Sequence, residues 1–268
     1  MLSNFTLGQY FQSDSVIHKL DPRFKLTELI AFIVFLFLAN NFISIGMLAA
    51  VVVIIILASK VPVKMYLRNF KVILPIILLT AILNAFYITD GTVLFKWGVI
   101  SISSGGISRA AFVTLRIFLL IVVSAVLTYT TTPTELTDAI ESLLSPLKFI
   151  GLREAVHVLA MMMTITLRFI PTLTEETDKI ISAQKARGAD MESGGIIKRV
   201  KSLIPILIPM LIISVRRAYE LAEAMDCRCY SGGKGRTRMN KLKCGLIDYI
   251  SVLIMGVILA GIIILNMI

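Results

Sequence analysis

The chain has 268 residues, 57% of them hydrophobic and 16% charged, with a formal net charge of +10. A soluble domain carries roughly 25% charged residues, so this composition excludes one and indicates a multi-spanning helical membrane protein. The surplus of Lys and Arg is what cytoplasmic loops carry, and its scatter between apolar runs excludes a nucleic-acid partner.

Residues 1–20 are polar and irregular, with neither the apolar core nor the small-residue cleavage site of a removable signal. Asp21-Pro22-Arg23 then opens a helix, with Asp21 as N-cap and Pro22 in the first helical position. Leu26 to Ala58 is almost wholly apolar. As one helix it would run about 50 Å against a hydrocarbon core of about 30 Å. Asn40-Asn41 is the natural break, giving spans Leu26–Ala39 and Phe42–Ala58; the alternative is one span plus a segment that does not cross.

Lys60, Lys64, Arg68 and Lys71 follow with no acid among them, which marks a cytosolic loop. Met65, Leu67 and Phe70 place that loop on the interface. Val72–Ile88 is the third expected span, with Pro75 in its first turn. Thr89–Gly106 holds the turn pair Asp90-Gly91 and the alternating run Val99–Ser103. It reads as a small extracellular hairpin, with Phe95 and Trp97 near the headgroups. Ile107–Tyr129 is the fourth span. Its Arg109 and Arg116, seven residues apart, share a face. A charge in a span is a functional hint by default; the plainer reading is that Arg109 snorkels and Arg116 packs inside the bundle, and it is preferred for Arg109.

Thr132-Pro133-Thr134-Glu135 is a capping box. The helix it opens is expected to continue to Ile150, where Pro146 and Gly151 end it. Leu136, Ala139, Ile140, Leu143, Leu144 and Leu147 fall on one stripe, and Glu135, Asp138, Glu141 and Ser145 on the other. Such a helix lies on a membrane or on another protein. From Leu152 to Lys243 apolar and charged pieces alternate. Ala155–Ile170 and Leu203–Val215 are each too short to cross on their own, and each leads into a charged amphipathic stretch. The expectation is two long bent helices, half at the membrane boundary and half in the cytosol. Leu246–Ile268 is the fifth span. Thr132–Lys243 carries seventeen Lys/Arg and twelve Asp/Glu, so this segment belongs in the cytosol. Five spans with the N-terminus inside place every basic segment there and the C-terminus outside.

Two arginines end the charged stretches. Arg187 sits in Ala183-Gln184-Lys185-Ala186-Arg187-Gly188, and Arg228 in Ala224-Met225-Asp226-Cys227-Arg228-Cys229. Gly188 in one case and Gly232-Gly233 in the other are the expected helix stops. A single such arginine reads as a cation on the negative end of a helix dipole. Two in echo read as residues that project into grooves of a partner.

No nucleotide or metal chemistry is legible. Ser231-Gly232-Gly233-Lys234-Gly235 lacks the Gly-x-x-x-x-Gly-Lys-Ser/Thr spacing and follows a helix rather than a strand. His18 and His157 have no ligand spacing with each other or with carboxylates, and Cys227-x-Cys229 has no second pair. The three cysteines, Cys227, Cys229 and Cys244, fall on the basic side and read as reduced packing groups. No paired carboxylates sit in a span, and the spans show no inverted repeat. A self-sufficient carrier or channel would have only Asn84 and Arg116 to line a polar cavity. The two unpaired histidines speak against a membrane metalloenzyme.

The ordered motifs resemble the transmembrane T component (EcfT) of energy-coupling factor (ECF) vitamin transporters. The resemblance rests on Ser15-Val16-Ile17-His18-Lys19-Leu20-Asp21-Pro22-Arg23-Phe24-Lys25-Leu26 and on Leu167-Arg168-Phe169-Ile170-Pro171. It rests equally on Ala183–Gly188, which matches the family's first Ala-Arg-Gly motif, and on Ala222–Tyr230, which matches the second. The second reads Cys-Arg-Cys, so its C-terminal flank lacks glycine's free backbone. The resemblance implies an all-α membrane protein with about five transmembrane helices and long amphipathic cytosolic coupling helices. It implies one integrated family domain: helices one to four within 1–131, the coupling region at 132–243, and the last helix at 244–268.

The implied role is that of a non-catalytic coupling subunit of an ABC-type importer in a prokaryotic cell membrane. Two cytosolic ATPases (EcfA and EcfA') and a vitamin-carrying S component are its implied partners, besides the lipid bilayer. ATP and Mg would be held by the ATPases and no cofactor by this chain. The ATPase-docking residues would be Ala186, Arg187, Gly188, Cys227, Arg228 and Cys229. The stripe Leu136, Ile140, Leu143, Leu144 and Leu147 offers a sliding surface for the S component.

Overall fold

The computed structural model describes residues 10–87, 92–97, 100–146, 151, 153–189, 195–232 and 244–267. These residues form two compact units, one within 8–139 and 240–268 and the other within 140–239.

The first unit starts with a one-turn helix α1 (Val16–Lys19) and then α2 (Pro22–Leu38). Asp21 caps α2 as its sequence requires, accepting the Arg23 N–H at 2.9 Å ahead of Pro22. The chain turns at Asn40-Asn41 into α3 (Phe42–Ser59), so the expected break within residues 26–58 is present. Left-handed Lys60 (φ 55°) ends α3.

Next comes α4 (Val63–Tyr87), and here the structure departs from expectation. The basic stretch that was expected to be an interfacial loop is helical from Val63. Pro75 therefore lies inside a 25-residue helix rather than in a first turn. Burial explains the early start: Tyr66 enters the core, its ring edge-on to Tyr129 at 5.3 Å, while Leu67 and Arg68 face outward. The Tyr129 hydroxyl donates to Met65 O at 3.2 Å.

β1 (Val93–Trp97) and β2 (Ile100–Ser103) form the expected hairpin, antiparallel with Trp97 opposite Ile100. Asp90-Gly91 lies outside the described residues, as do the side chains of Phe95 and Trp97. After α5 (Ser104–Thr130), the unit closes with α9 (Leu246–Met267). Its core is one apolar cluster, in which Phe32 and Leu36 of α2, Leu48 and Val52 of α3, Val122 and Val126 of α5 and Ile258 and Ile262 of α9 are all buried.

An acid and a lysine knit the ends of these helices. Asp248 is 3% exposed. One of its oxygens accepts the Gly245 N–H at the head of α9 (2.6 Å), and the other accepts the Asp21 N–H at the head of α2 (2.8 Å). Lys25, 7% exposed, donates from Nζ to Thr130 O at the end of α5 and to His18 O at the end of α1. The conspicuous opening motif is thus a clasp. His18, which has no metal-ligand spacing in the sequence, is held between Ser15 Oγ (2.6 Å) and Phe11 O (2.8 Å).

The helix α6 (Pro133–Leu143) runs across the boundary between the units in sequence. Its capping box is realised: Thr132 N–H donates to Glu135 Oε2 (3.0 Å) and Glu135 N–H to Thr132 Oγ1 (3.3 Å). It stops at Leu143 instead of reaching Ile150, because Pro146 has no N–H to give the carbonyl of Ser142 four residues back.

The second unit is built on α7 (Arg153–Ala186) and α8 (Ile196–Asp226). The two long helices expected here are present, each joining an apolar piece to its charged stretch and passing through Pro171 in α7 and Pro205 and Pro209 in α8. This corrects the span assignment on length. By length and composition the described helices able to cross a membrane are α3, α5, α7, α8 and α9, whereas α2 and the apolar part of α4 are shorter. The two long helices are amphipathic all the same. On α8, Leu203, Ile204, Leu207, Ile208, Leu211 and Ile212 form an exposed stripe, and the following turns carry Arg216, Arg217, Glu220, Glu223 and Asp226.

Candidate partner-docking site

The helices α7 and α8 lie antiparallel. Gln184 Nε2 donates to Pro205 O (3.4 Å), Thr177 meets Met210 (3.6 Å), Glu176 pairs with Arg217 (3.7 Å) and Tyr230 reaches Met161 (3.0 Å). The Gln184 bond has a clear cause. Pro209 has no N–H to give the carbonyl four residues back, so Pro205 O is left for a side chain of the neighbouring helix.

Each helix ends in the same hydrogen-bond pattern, with an arginine in the same place. After α7, Gly188 is left-handed (φ 85°). Its N–H bonds Lys185 O and the next N–H, of Ala189, reaches back to Gln184 O, both at 3.0 Å. After α8, Cys229 is left-handed (φ 53°). Its N–H bonds Asp226 O at 2.9 Å, and the Tyr230 N–H reaches Met225 O at 3.1 Å. Both are Schellman endings, and the residue just before the left-handed one is Arg187 or Arg228. The expected breaker Gly232 lies past the end of α8; Cys229 takes glycine's role, so the departure at the second motif leaves the backbone path unchanged.

Ala186, Arg187 and Gly188 are exposed, and so are Cys227, Arg228 and Cys229. Neither guanidinium bonds or ion-pairs with any other described residue. An exposed, unpaired guanidinium on a fixed helix tip presents a planar fork to a carboxylate or a set of carbonyls. Because the helices are antiparallel, the tips lie at opposite ends of the pair. Some 25 residues at about 1.5 Å each separate them by about 35–40 Å. The sequence found both arginines and their likeness but gave no sign that they point to opposite ends. It also missed Tyr230, which pins the residue after the second tip to α7 through Met161.

The stripe proposed on α6 is partly available. Leu136, Ile140 and Leu144 are half-buried and Leu143 is exposed, while Ala139 is fully buried beside Thr137. Leu147 lies outside the described residues. The groups a carrier would need do not converge. Asn84 bonds Thr80 O in its own helix (2.8 Å) and Arg116 bonds Ala39 O (2.6 Å). The 390 Å³ cavity between α2, α3, α5 and α9 is walled almost wholly by apolar side chains and includes neither. Among the described residues no cluster of His, Cys, Asp or Glu could hold a metal, and the three cysteines are free and exposed.

Comparison with known proteins matches residues 13–239 to the CbiQ family, described as a cobalt transport protein. The chain is 49% identical over 257 residues to the "Energy-coupling factor transporter transmembrane protein EcfT" of Ruminiclostridium cellulolyticum, covering 96% of this chain and 94% of that one. It is 50% identical to the protein of the same name from Clostridium kluyveri, covering 94% and 93%, and 42% identical to that of Bacillus subtilis, covering 90% and 91%.

Proposed function

The chain belongs to the EcfT family, the transmembrane components of energy-coupling factor transporters, and from that premise we propose that it couples two cytosolic ATPases to a substrate-binding S component. The observation that carries this reading is the pair of equivalent, exposed, unpaired arginines at opposite ends of α7 and α8. Each tip serves one ATPase. A separation of about 35–40 Å leaves room for two globular subunits side by side, and the rigid pair between them turns their relative motion into a movement of both helices. The chain itself does no chemistry: ATP and Mg belong to the ATPases, and α6 with its Leu136, Ile140, Leu143 and Leu144 face receives the S component, which carries a vitamin or similar micronutrient. By the positive-inside rule, the basic segments argue for a cytosolic N-terminus and a C-terminus outside.

The test is co-purification of the ATPases and ATP-driven vitamin uptake for Arg187→Ala, Arg228→Ala and the double variant. Each single variant keeps much of its ATPase binding but transports poorly, and the double variant loses both. Lysine restores function only in part, because it keeps the charge without the planar fork. A double variant that assembles and transports like the parent refutes the assignment.

A further inference from the structure

The first unit holds two cations that the coupling role does not use. Arg109 and Arg116 lie on one face of α5, two turns and about 10 Å apart. Between Glu28 and Glu135 the sequence has a single acid, Asp90, which lies outside the described residues. Among the described residues neither arginine has a carboxylate partner. Arg116 is only partly satisfied. One of its five N–H donors reaches Ala39 O, its guanidinium lies over the rings of Phe112 (4.9 Å) and Phe37 (5.7 Å), and its buried Nε has no acceptor. Arg109 is exposed.

The height of Arg116 is fixed by its neighbours. Ala39 is where α2 ends, and at the same end Asn266 of α9 donates to Leu38 O (2.7 Å) and Asn41 donates to Leu265 O (3.1 Å). Helix ends and amide side chains gathered at one level mark the edge of the hydrocarbon region, where lipid phosphates begin. Below Arg116, Ile30, Val34 and Phe37 form an exposed apolar row down α2 at helical spacing, suited to an acyl chain.

We propose that Arg109 and Arg116 bind the phosphate of an anionic phospholipid, with one acyl chain laid along Ile30, Val34 and Phe37. Two cations with no carboxylate partner among the described residues favour a lipid of net negative charge over a zwitterionic one bearing the same phosphate. Each arginine contributes about fivefold to that preference. The orientation proposed above places the lipid in the outer leaflet, but the binding measured below does not depend on orientation.

The test is native mass spectrometry of the delipidated full-length chain with equal amounts of dioleoyl phosphatidylglycerol and dioleoyl phosphatidylcholine. The parent retains phosphatidylglycerol preferentially. Arg109→Gln cuts the preference about fivefold, and Arg109→Gln with Arg116→Gln cuts it about 25-fold. Arg109 is exposed and makes no hydrogen bond or ion pair with a described residue, so the single variant decides the matter if the double one does not fold. Equal retention of both lipids by the parent overturns the proposal, as does a preference that survives Arg109→Gln. Glycerol phosphate stabilising the parent as well as the lipid does would show a soluble-anion site instead. Loss of a co-purifying membrane protein from the variants, with lipid preference unchanged, would show that the arginines serve a protein partner.

Discussion

Replacing Asp248 by alanine tests the clasp that joins the two ends of the first unit. Its carboxylate sits at the N-termini of α2 and α9, where the helix dipoles favour a negative charge. The two bonds it makes are not equal. The Asp21 N–H is buried with it, so alanine strands a donor that water does not reach, at about 2–3 kcal/mol. Gly245 is exposed, so its N–H turns to water and that loss is about 1 kcal/mol, as for other helix caps. The sum is about 3–4 kcal/mol, which lowers the unfolding midpoint of a chain this size by about 10 °C. Asparagine separates the two terms. It keeps one oxygen for the Asp21 N–H and turns an NH₂ toward Gly245, so it recovers most of the loss. The assay is thermal unfolding of the purified chain in one detergent, following tryptophan emission and aggregation together. A midpoint for Asp248→Ala within about 2 °C of the parent would refute the reasoning, as would an asparagine variant no better than alanine.

Lys25→Met keeps the length of the side chain but leaves Thr130 O and His18 O without their donor, so it should destabilise the same unit by about 2 kcal/mol in the same assay. Cys229→Gly removes a left-handed strain of about 1 kcal/mol but adds unfolded-state freedom of about 0.4–1 kcal/mol. Overall stability should therefore barely change, while amide exchange at Tyr230 slows; Cys229→Val should speed it, and equal exchange in all three proteins would contradict the Schellman ending. Cysteines placed by Ser3→Cys and Met267→Cys should differ in intact cells: an impermeant maleimide should label the second and reach the first only after permeabilisation. Labelling of both from one side would mean an even number of crossings.

The sequence by itself determined the features that depend on near neighbours. Asp21-Pro22 and Thr132–Glu135 are helix starts because capping acts over three residues. The break at Asn40-Asn41 followed from comparing chain length with bilayer thickness. Arg187 and Arg228 stood out through their small flanks and charged helices, and the family motifs were legible in order. What the sequence misread was also local: Pro75 was expected in the first turn of a span, yet it lies well inside α4, and the apolar pieces beside Pro171, Pro205 and Pro209 looked too short to cross on their own, yet belong to helices long enough to do so. The cost of a lost N–H at such a site is offset by burial of Tyr66 in α4 and by Gln184 in place of the missing donor in α8. The tertiary structure alone decided the rest, because no periodicity encodes a partner 227 residues away. That Asp248 would hold the head of α2, that Lys25 would close the end of α5, and that antiparallel packing would send the two arginines to opposite ends are matters of which surfaces meet.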